Sequence, residues 1–215
     1  MAEGKGAKRI GVLGGGNVGG ALARLWAGKG HTVSIGVPDP NRTQAKGGSP
    51  GAGVRLTTNR EAAAGAEIVA LAVPWPAAQE AIRAAGDLTG KVVIDCTNPL
   101  SSDLKSLTIG TTTSAAEQVA QWAPGARVLK AFNNIGAVNF GNAQFVNLRA
   151  DGFYCGDDAA AKAVVRNLIE DVGLDPVDVG PLRNARMLEP LALLWIDLAV
   201  NQGQGPGHAF KLLRR

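Results

Sequence analysis

The chain has 215 residues and a formal net charge of +4; 46% are hydrophobic, 19% are charged and 29 are glycine, about twice the ordinary glycine share of roughly 7%. That length allows one sizeable domain, or one with a modest C-terminal extension, and the apolar content excludes disorder. The glycines keep no three-residue period and alternate with Val, Ile, Leu and Ala, which excludes collagen and a low-complexity linker, while scattered basic residues and few aromatics argue against a nucleic-acid surface.

Lys8-Arg9 and the apolar stretch behind them imitate a secretory signal, but the glycines and Asn17 make a poor apolar core for one. Short β-branched runs predict strands near Arg9–Leu13, Thr32–Ile35, Val54–Thr57, Ile68–Val73, Val92–Cys96 and Arg127–Ala131. Ala/Leu-rich stretches between them predict helices near Val18–Lys29, Arg60–Ala64, Ala77–Ala85 and Ser114–Trp122. Strands that read as unbroken apolar runs are buried on both faces. Their alternation with helices therefore predicts an α/β, Rossmann-type, doubly wound and mainly parallel sheet.

Val37–Gly53 reads as a long Pro/Gly/Ser-rich loop, and loops of that length tend to be functional. After about residue 134 the rhythm weakens: a strand at Gly152–Cys155, a helix at Asp157–Val172 capped by Asp157-Asp158, and a strand at Pro176–Val179. An apolar helix from Arg183 to about Val200 follows, with Leu188, Leu191, Leu194 and Leu198 facing a core or a dimer seam. This divides the chain into a nucleotide-binding domain, 1–134, and a small C-terminal α+β lobe, 135–215. No apolar run is long enough to span a membrane. Cys96 and Cys155 lie apart in apolar segments, as reduced thiols of a cytoplasmic protein do, and two histidines are too few for a His-based metal site.

Gly14-Gly-Gly16-Asn-Val-Gly19 follows the first strand and opens the first helix. In a G-x-G-x-x-G so placed, Gly14 makes the tight turn, Gly16 leaves the backbone bare for a pyrophosphate, and Gly19 lets helix and sheet close. The helix start then offers free N–H groups and a positive dipole end to the phosphates. An acidic residue ending the second strand would select NAD. Here that strand runs into Val37-Pro38, and Arg42 beyond it could reach a 2′-phosphate, which favours NADP over NAD.

With Ile10–Ala23, the segments Ala72-Val-Pro74-Trp75, Lys91–Leu100, Ser114–Glu117, Lys130–Asn133, Cys155–Asp158 and Gly180–Arg186 run in order along nearly the whole chain. Together they resemble the NADP-dependent reductases of the deazaflavin coenzyme F-420 and the broader group of small dinucleotide-binding oxidoreductases around them. The resemblance implies a commonly dimeric, cytoplasmic enzyme passing a hydride between NADPH and a flavin or deazaflavin ring. It implies that Gly16, Asn17 and Val18 meet the pyrophosphate. Ala72, Val73 and Pro74 then line the path to the nicotinamide, Asn98 and Gly136 flank that ring, and Trp75, Ile135 and the C-terminal lobe meet the partner ring. Val37-Pro38 stand where the family often has Ser-Arg or Arg, so the NADP preference rests on Arg42.

Hydride transfer between stacked rings needs positioning more than acid–base chemistry, and no catalytic residue can be assigned. His208, in Gly205-Pro-Gly-His208, is the one candidate proton donor beside the acceptor, with plain packing as its alternative. A reductase of a small imine or carbonyl compound, and a non-catalytic NADP-binding module, remain open. A membrane metalloreductase with a similar cytosolic domain is not expected.

Overall fold

The computed structural model describes residues 6–45 and 50–215. Lys5 and the 46–49 part of the loop predicted at Val37–Gly53 lie outside the described residues. Strands β1 (Arg9–Leu13), β2 (Thr32–Val37), β3 (Val54–Thr58), β4 (Ile68–Leu71), β5 (Val92–Asp95) and β6 (Arg127–Ala131) are followed by a small hairpin, β7 (Gln144–Phe145) with β8 (Leu148–Arg149). Then come β9 (Asp151–Gly156) and β10 (Asp175–Asp178). The main sheet runs β10-β9-β6-β5-β4-β1-β2-β3. Every pairing in it is parallel except β6 with β9. The strand order reverses between β1 and β4, and at such a switch point the loops diverge and leave a crevice.

Two helical layers cover the sheet. Helices α1 (Asn17–Gly28) and α6 (Ala159–Asp171) pack Leu22, Trp26, Val165 and Leu168 onto one face with Ile10, Val12 and Ile35. Helices α3 (Asn59–Ala64), α4 (Ala78–Ala85), α5 (Ala115–Trp122) and α7 (Ala185–Ile196) pack Ala62, Ile82, Val119 and Leu188 onto the other with Leu13 and Leu71. Because consecutive strand residues face opposite layers, strands covered on both sides are apolar throughout.

Local chemistry sets the helix starts. The Thr58 hydroxyl accepts from Glu61 N while the Glu61 carboxylate accepts from Thr58 N, a reciprocal cap for α3. Ser114 caps α5 through Glu117 N, and the Asp158 carboxylate caps α6 through Ala161 N at 2.7 Å. Asp157 does not share that cap; it accepts from Leu182 N instead.

Several boundaries differ from the sequence reading. A short helix α2 (Pro40–Ala45) occupies part of the expected loop, opened by a proline, whose fixed φ suits a first helical turn. β4 stops at Leu71, short of Pro74, which has no N–H for a sheet ladder. The last helix is a 3-10 turn (Leu182–Asn184), then α7, then a π turn (Asp197–Asn201). Its leucine row is not a single face: Leu188 is buried, whereas Leu194 is 48% exposed. Of the strands after residue 134, β9 and β10 extend the main sheet beyond β6, and β7 and β8 stand apart from it. Among the described residues no helix is long and apolar enough to cross a membrane.

Candidate nucleotide and acceptor site

The site begins where β1 turns into α1. Gly14 has φ +105°, a conformation side chains resist, and its N–H is held by Gly36 O at 2.9 Å. A β-carbon at Gly14 would stand 2.5 Å from Ala72 O, and one at Gly19 would overlap Gly14 O, so this chain's own packing demands glycine at both positions. Gly16 is different. It precedes α1 in an extended conformation, and a β-carbon there would meet nothing within 4 Å. Nothing among the described residues requires Gly16 to be bare. Open space above bare backbone at a helix start is what a phosphate group needs. No side chain caps α1 and its first turn holds no acidic residue, so the free N–H groups are left for an outside anion.

A cavity opens on each side of this turn. The first, about 330 Å³, runs from Gly14 and Val73 past Gly36, Val37 and Pro38 at the end of β2 to Asn59 and Arg60 on α3 and the alanines of α4. The second, about 280 Å³, lies between Asn17 and Val18 of α1, Cys96 and Asn98 after β5, Ile135 and Gly136 after β6, and Trp195 of α7. The residues predicted for the dinucleotide therefore divide between two adjoining spaces: Gly14, Val37 and Val73 in one, Asn17, Val18, Asn98 and Gly136 in the other. Gly16 and Gly19 belong to the turn between them. Ala72 packs its carbonyl against Gly14, and Pro74 begins the turn beyond.

Three predicted positions are elsewhere. Arg42 lines neither cavity; it sits exposed on α2, its N–H held by Asp39 at 3.0 Å. Trp75 lines neither cavity and turns back onto Trp122 of α5, with ring centroids 5.2 Å apart and planes at 23°. His208 supports a neighbour, Trp195, as its packing alternative has it. Its imidazole stacks on Trp195 at 4.9 Å, and its carbonyl accepts from Trp195 Nε1 at 2.9 Å. Its Nδ1 faces the carbonyl of Gly205 at 3.1 Å, and a carbonyl only accepts, so the ring proton is assigned to Nδ1. Nε2 is buried without a partner among the described residues.

Trp195 does reach the second cavity, which Phe132 also lines. It packs so closely on Gly136 that a β-carbon there would stand 2.5 Å from the ring. Asn98 faces the same space and is fixed by reciprocal bonds, Asn98 Nδ2 to Asn133 O at 2.9 Å and Asn133 Nδ2 to Asn98 Oδ1 at 3.0 Å. Asn133 Nδ2 also donates to Leu188 O, tying this loop to α7. Between Ala131 and Asn133 the chain bends through Phe132, a non-glycine residue at φ +63° wedged edge-on between Trp26 and Phe140. Such strain persists only where surrounding packing enforces it, and it collects at functional sites.

Beneath these loops lies a fully buried charge cluster that the strand pattern gave no reason to assemble. Lys130 Nζ sits 2.9 Å from both Asp95 and Glu189 and donates to Thr97 O. Asp95 and Lys130 are register partners on β5 and β6, while Glu189 reaches in from α7 and also accepts the N–H groups of Ala115 and Ala116 at the start of α5. Burial alone pulls the Lys130 ammonium down, but the two carboxylates outweigh it and hold its pKa above the ordinary value. A lysine and an aspartate inside runs that otherwise read as wholly apolar were the visible signal. Burial pushes the Cys96 thiol up, with Asp95 adding to it, and pushes Cys155 up to about 12, so both stay protonated. No group of three or more His, Cys, Asp or Glu among the described residues could hold a metal ion.

Comparison with known proteins agrees with this geometry. Residues 9–99 match the family model described as NADP oxidoreductase coenzyme F420-dependent. The F420-dependent NADP reductase of Methanothermobacter thermautotrophicus is 31% identical over 208 residues, covering 89% of each chain. Metalloreductase STEAP3 of Rattus norvegicus is 31% identical over 198 residues; the match takes in 88% of this chain but 38% of that protein's length. A crystal structure from Arthrobacter sp. FB24, provisionally named an F420-dependent NADP reductase, superposes with a TM-score of 0.89 at 34% identity, covering 97% of this chain and all of that one. A glycine turn bared for a phosphate, a cavity on each side of it, and a relative matched along nearly its full length agree on one assignment: the chain belongs to the family of coenzyme F420-dependent NADP oxidoreductases.

Proposed function

We propose that this chain moves a hydride between NADP(H) and a flavin or deazaflavin ring. The observation that carries the reading is Gly16, which no packing among the described residues requires and which lies in the turn between two cavities of about 330 and 280 Å³. The first cavity takes the adenosine end, the free N–H groups of α1 take the pyrophosphate, and the second cavity takes the nicotinamide with the acceptor ring beside it. When bound, the nicotinamide supplies the hydride, and the acceptor takes it together with a proton from water.

The chain's own part is positioning. Asn98, locked to Asn133, and Gly136 frame the nicotinamide, with Ala72 to Pro74 along the path to it. Ile135 and Trp195 give the second cavity apolar walls that keep water from the transferring hydride. Apart from Cys96, whose thiol is held protonated, no ionisable side chain lines that cavity, which suits a transfer needing no protein acid or base. We assign nucleotide binding to residues 1–134 and the acceptor side to 135–215.

Stopped-flow mixing of NADPH-loaded protein with FMN, FAD or a deazaflavin tests this reading. Loss of the NADPH absorbance band that depends on the acceptor supports it. Turnover of cyclic imines without any flavin would move the assignment to an imine reductase, and tight NADPH binding with no oxidation by any acceptor would leave a non-catalytic module.

We propose further that the protein works in the cytoplasm, where the buried thiols of Cys96 and Cys155 remain reduced; recovery in a secreted fraction would contradict this. It pairs with a second copy through α7, whose Met187 and Leu194 are 59% and 48% exposed. Sedimentation equilibrium giving a monomer at micromolar concentration would remove that pairing.

A further inference from the structure

Nicotinamide dinucleotides are told apart where β2 ends: a carboxylate there accepts from the ribose hydroxyls of NAD, and a cation there accommodates the 2′-phosphate of NADP. In this chain the position holds Val37 and Pro38 and offers neither. The neighbouring strand supplies what is missing. β2 and β3 run parallel with Val37 opposite Thr58, so the residues following each emerge side by side. The second residue after Thr58 is Arg60.

The approach here is as close as backbone allows. A β-carbon at Gly36 would stand 2.8 Å from the Cα of Asn59 and from its Oδ1. The reciprocal Thr58–Glu61 cap fixes the backbone on either side of Arg60. The Arg60 side chain leaves α3, lines the first cavity together with Gly36, Val37 and Pro38, and extends towards α4, with one guanidinium nitrogen 3.6 Å from where a β-carbon at Gly86 would stand. It is exposed, and among the described residues it has no hydrogen bond or ion pair. The one carboxylate in the same cavity, Glu80, is already held by both nitrogens of a fork from Arg83, each at 2.7 Å.

We infer that Arg60, reaching across from the first turn of α3, is the residue that recognises the 2′-phosphate monoester of the adenosine ribose and so sets NADP over NAD. Arg42, on α2 and outside the cavity, has no direct part in that choice. The inference rests on the reading of the first cavity as the adenosine site. A phosphate at the end of β2 gives the free guanidinium its missing partner, and a guanidinium can take such a group through two parallel N–H bonds.

The test is calorimetric titration of the full chain with NADPH, NADH, 2′-phospho-AMP and AMP. The variants are Arg60→Ala, Arg60→Lys and Arg42→Ala, with melting curves to show that each stays folded. Expected for Arg60→Ala is a loss of about tenfold or more for NADPH and 2′-phospho-AMP, with NADH and AMP changed by less than about twofold. Arg60→Lys falls between, and Arg42→Ala leaves the NADPH-to-NADH ratio where it was. Equal weakening of NADPH and NADH by Arg60→Ala, or a ratio that moves with Arg42 instead, overturns the inference while the dinucleotide reading stands. A wild-type chain that binds neither dinucleotide overturns both.

Discussion

Replacing Lys130 with methionine tests how this fold tolerates charge at its centre. Methionine fills a similar volume, so the change removes an ammonium without opening a cavity. In the wild type the ammonium, fully buried, lies 2.9 Å from Asp95 and 2.9 Å from Glu189, and neither carboxylate touches solvent appreciably. Each carboxylate has some other support: Asp95 accepts from the backbone and hydroxyl of Thr97, and Glu189 accepts from two N–H groups of α5. Those bonds remain in the variant, but two negative charges are left facing each other across the site of the missing cation. Breaking one buried pair costs about 3–5 kcal/mol. The second carboxylate does not double this, because one of the two can take up a proton and donate to the other. For a chain of this size 1 kcal/mol corresponds to roughly 2–4 °C in Tm, so Lys130→Met should melt roughly 6–20 °C below wild type by circular dichroism. Adding Asp95→Asn and Glu189→Gln removes the stranded charges and should restore most of the loss. A single variant melting within about 2 °C of wild type, or a triple variant no better than the single, would refute the reasoning.

Gly16→Ala should leave stability within about 1 kcal/mol of wild type, since its backbone is ordinary and its β-carbon meets open space. NADPH affinity should nevertheless fall about tenfold or more; unchanged affinity would show that no phosphate lies there. Gly19→Ala should do the opposite first, destabilising the fold by about 1–3 kcal/mol or more through its clash with Gly14 O. Arg186 donates to Glu117 at 2.9 and 2.6 Å and holds that carboxyl below its ordinary pKa. A depressed folded-state pKa gives stability that is present above the unfolded value, about 4.3, and lost as pH falls through the folded one. Glu117→Gln should therefore lose less stability than wild type on acidification over that range, and parallel losses would mean the pair is not the source. Gly136→Ala must displace Trp195, so it should raise KM for the acceptor more than Kd for NADPH and shift the tryptophan emission; an unshifted spectrum would contradict the packing described.

The glycine turn and both sides of its strand–helix unit could be read from the chain because their signals are local: apolar run, glycines at fixed offsets, helical period. β1 and β6 end where the residue pattern says, and neighbouring elements differ by a residue or two at their ends. What could not be read is what depends on register. Arg42 lies nearer the end of β2 along the chain than Arg60 does, but the pairing of β2 with β3 decides which of them lines the first cavity. Trp75 follows a strand end, as ring-binding residues often do, yet its orientation is set by Trp122, a partner that no local rule supplies. His208 stood out as a rare titratable residue. Its surroundings, the Gly205 carbonyl at Nδ1 and the Trp195 ring against its face, come from partners that no local rule supplies. Lys130, Asp95 and Glu189 lie in otherwise apolar settings, and only the folded chain shows that they answer one another.

The pair of cavities flanking Gly16 makes the bound dinucleotide a two-headed ligand. Each head alone, an adenosine phosphate or a nicotinamide mononucleotide, has only its own cavity to hold it. Once one head is seated, the pyrophosphate keeps the other near its own cavity at an effective concentration that can reach millimolar. Retention and reaction are thereby carried by different residues. A change around Arg60 alters how long the nucleotide stays, and a change around Asn98 or Trp195 alters what its ring meets while it is there. A chain built this way can acquire a new electron acceptor by altering α7 and the loops after β5 and β6, with its hold on the nucleotide left intact.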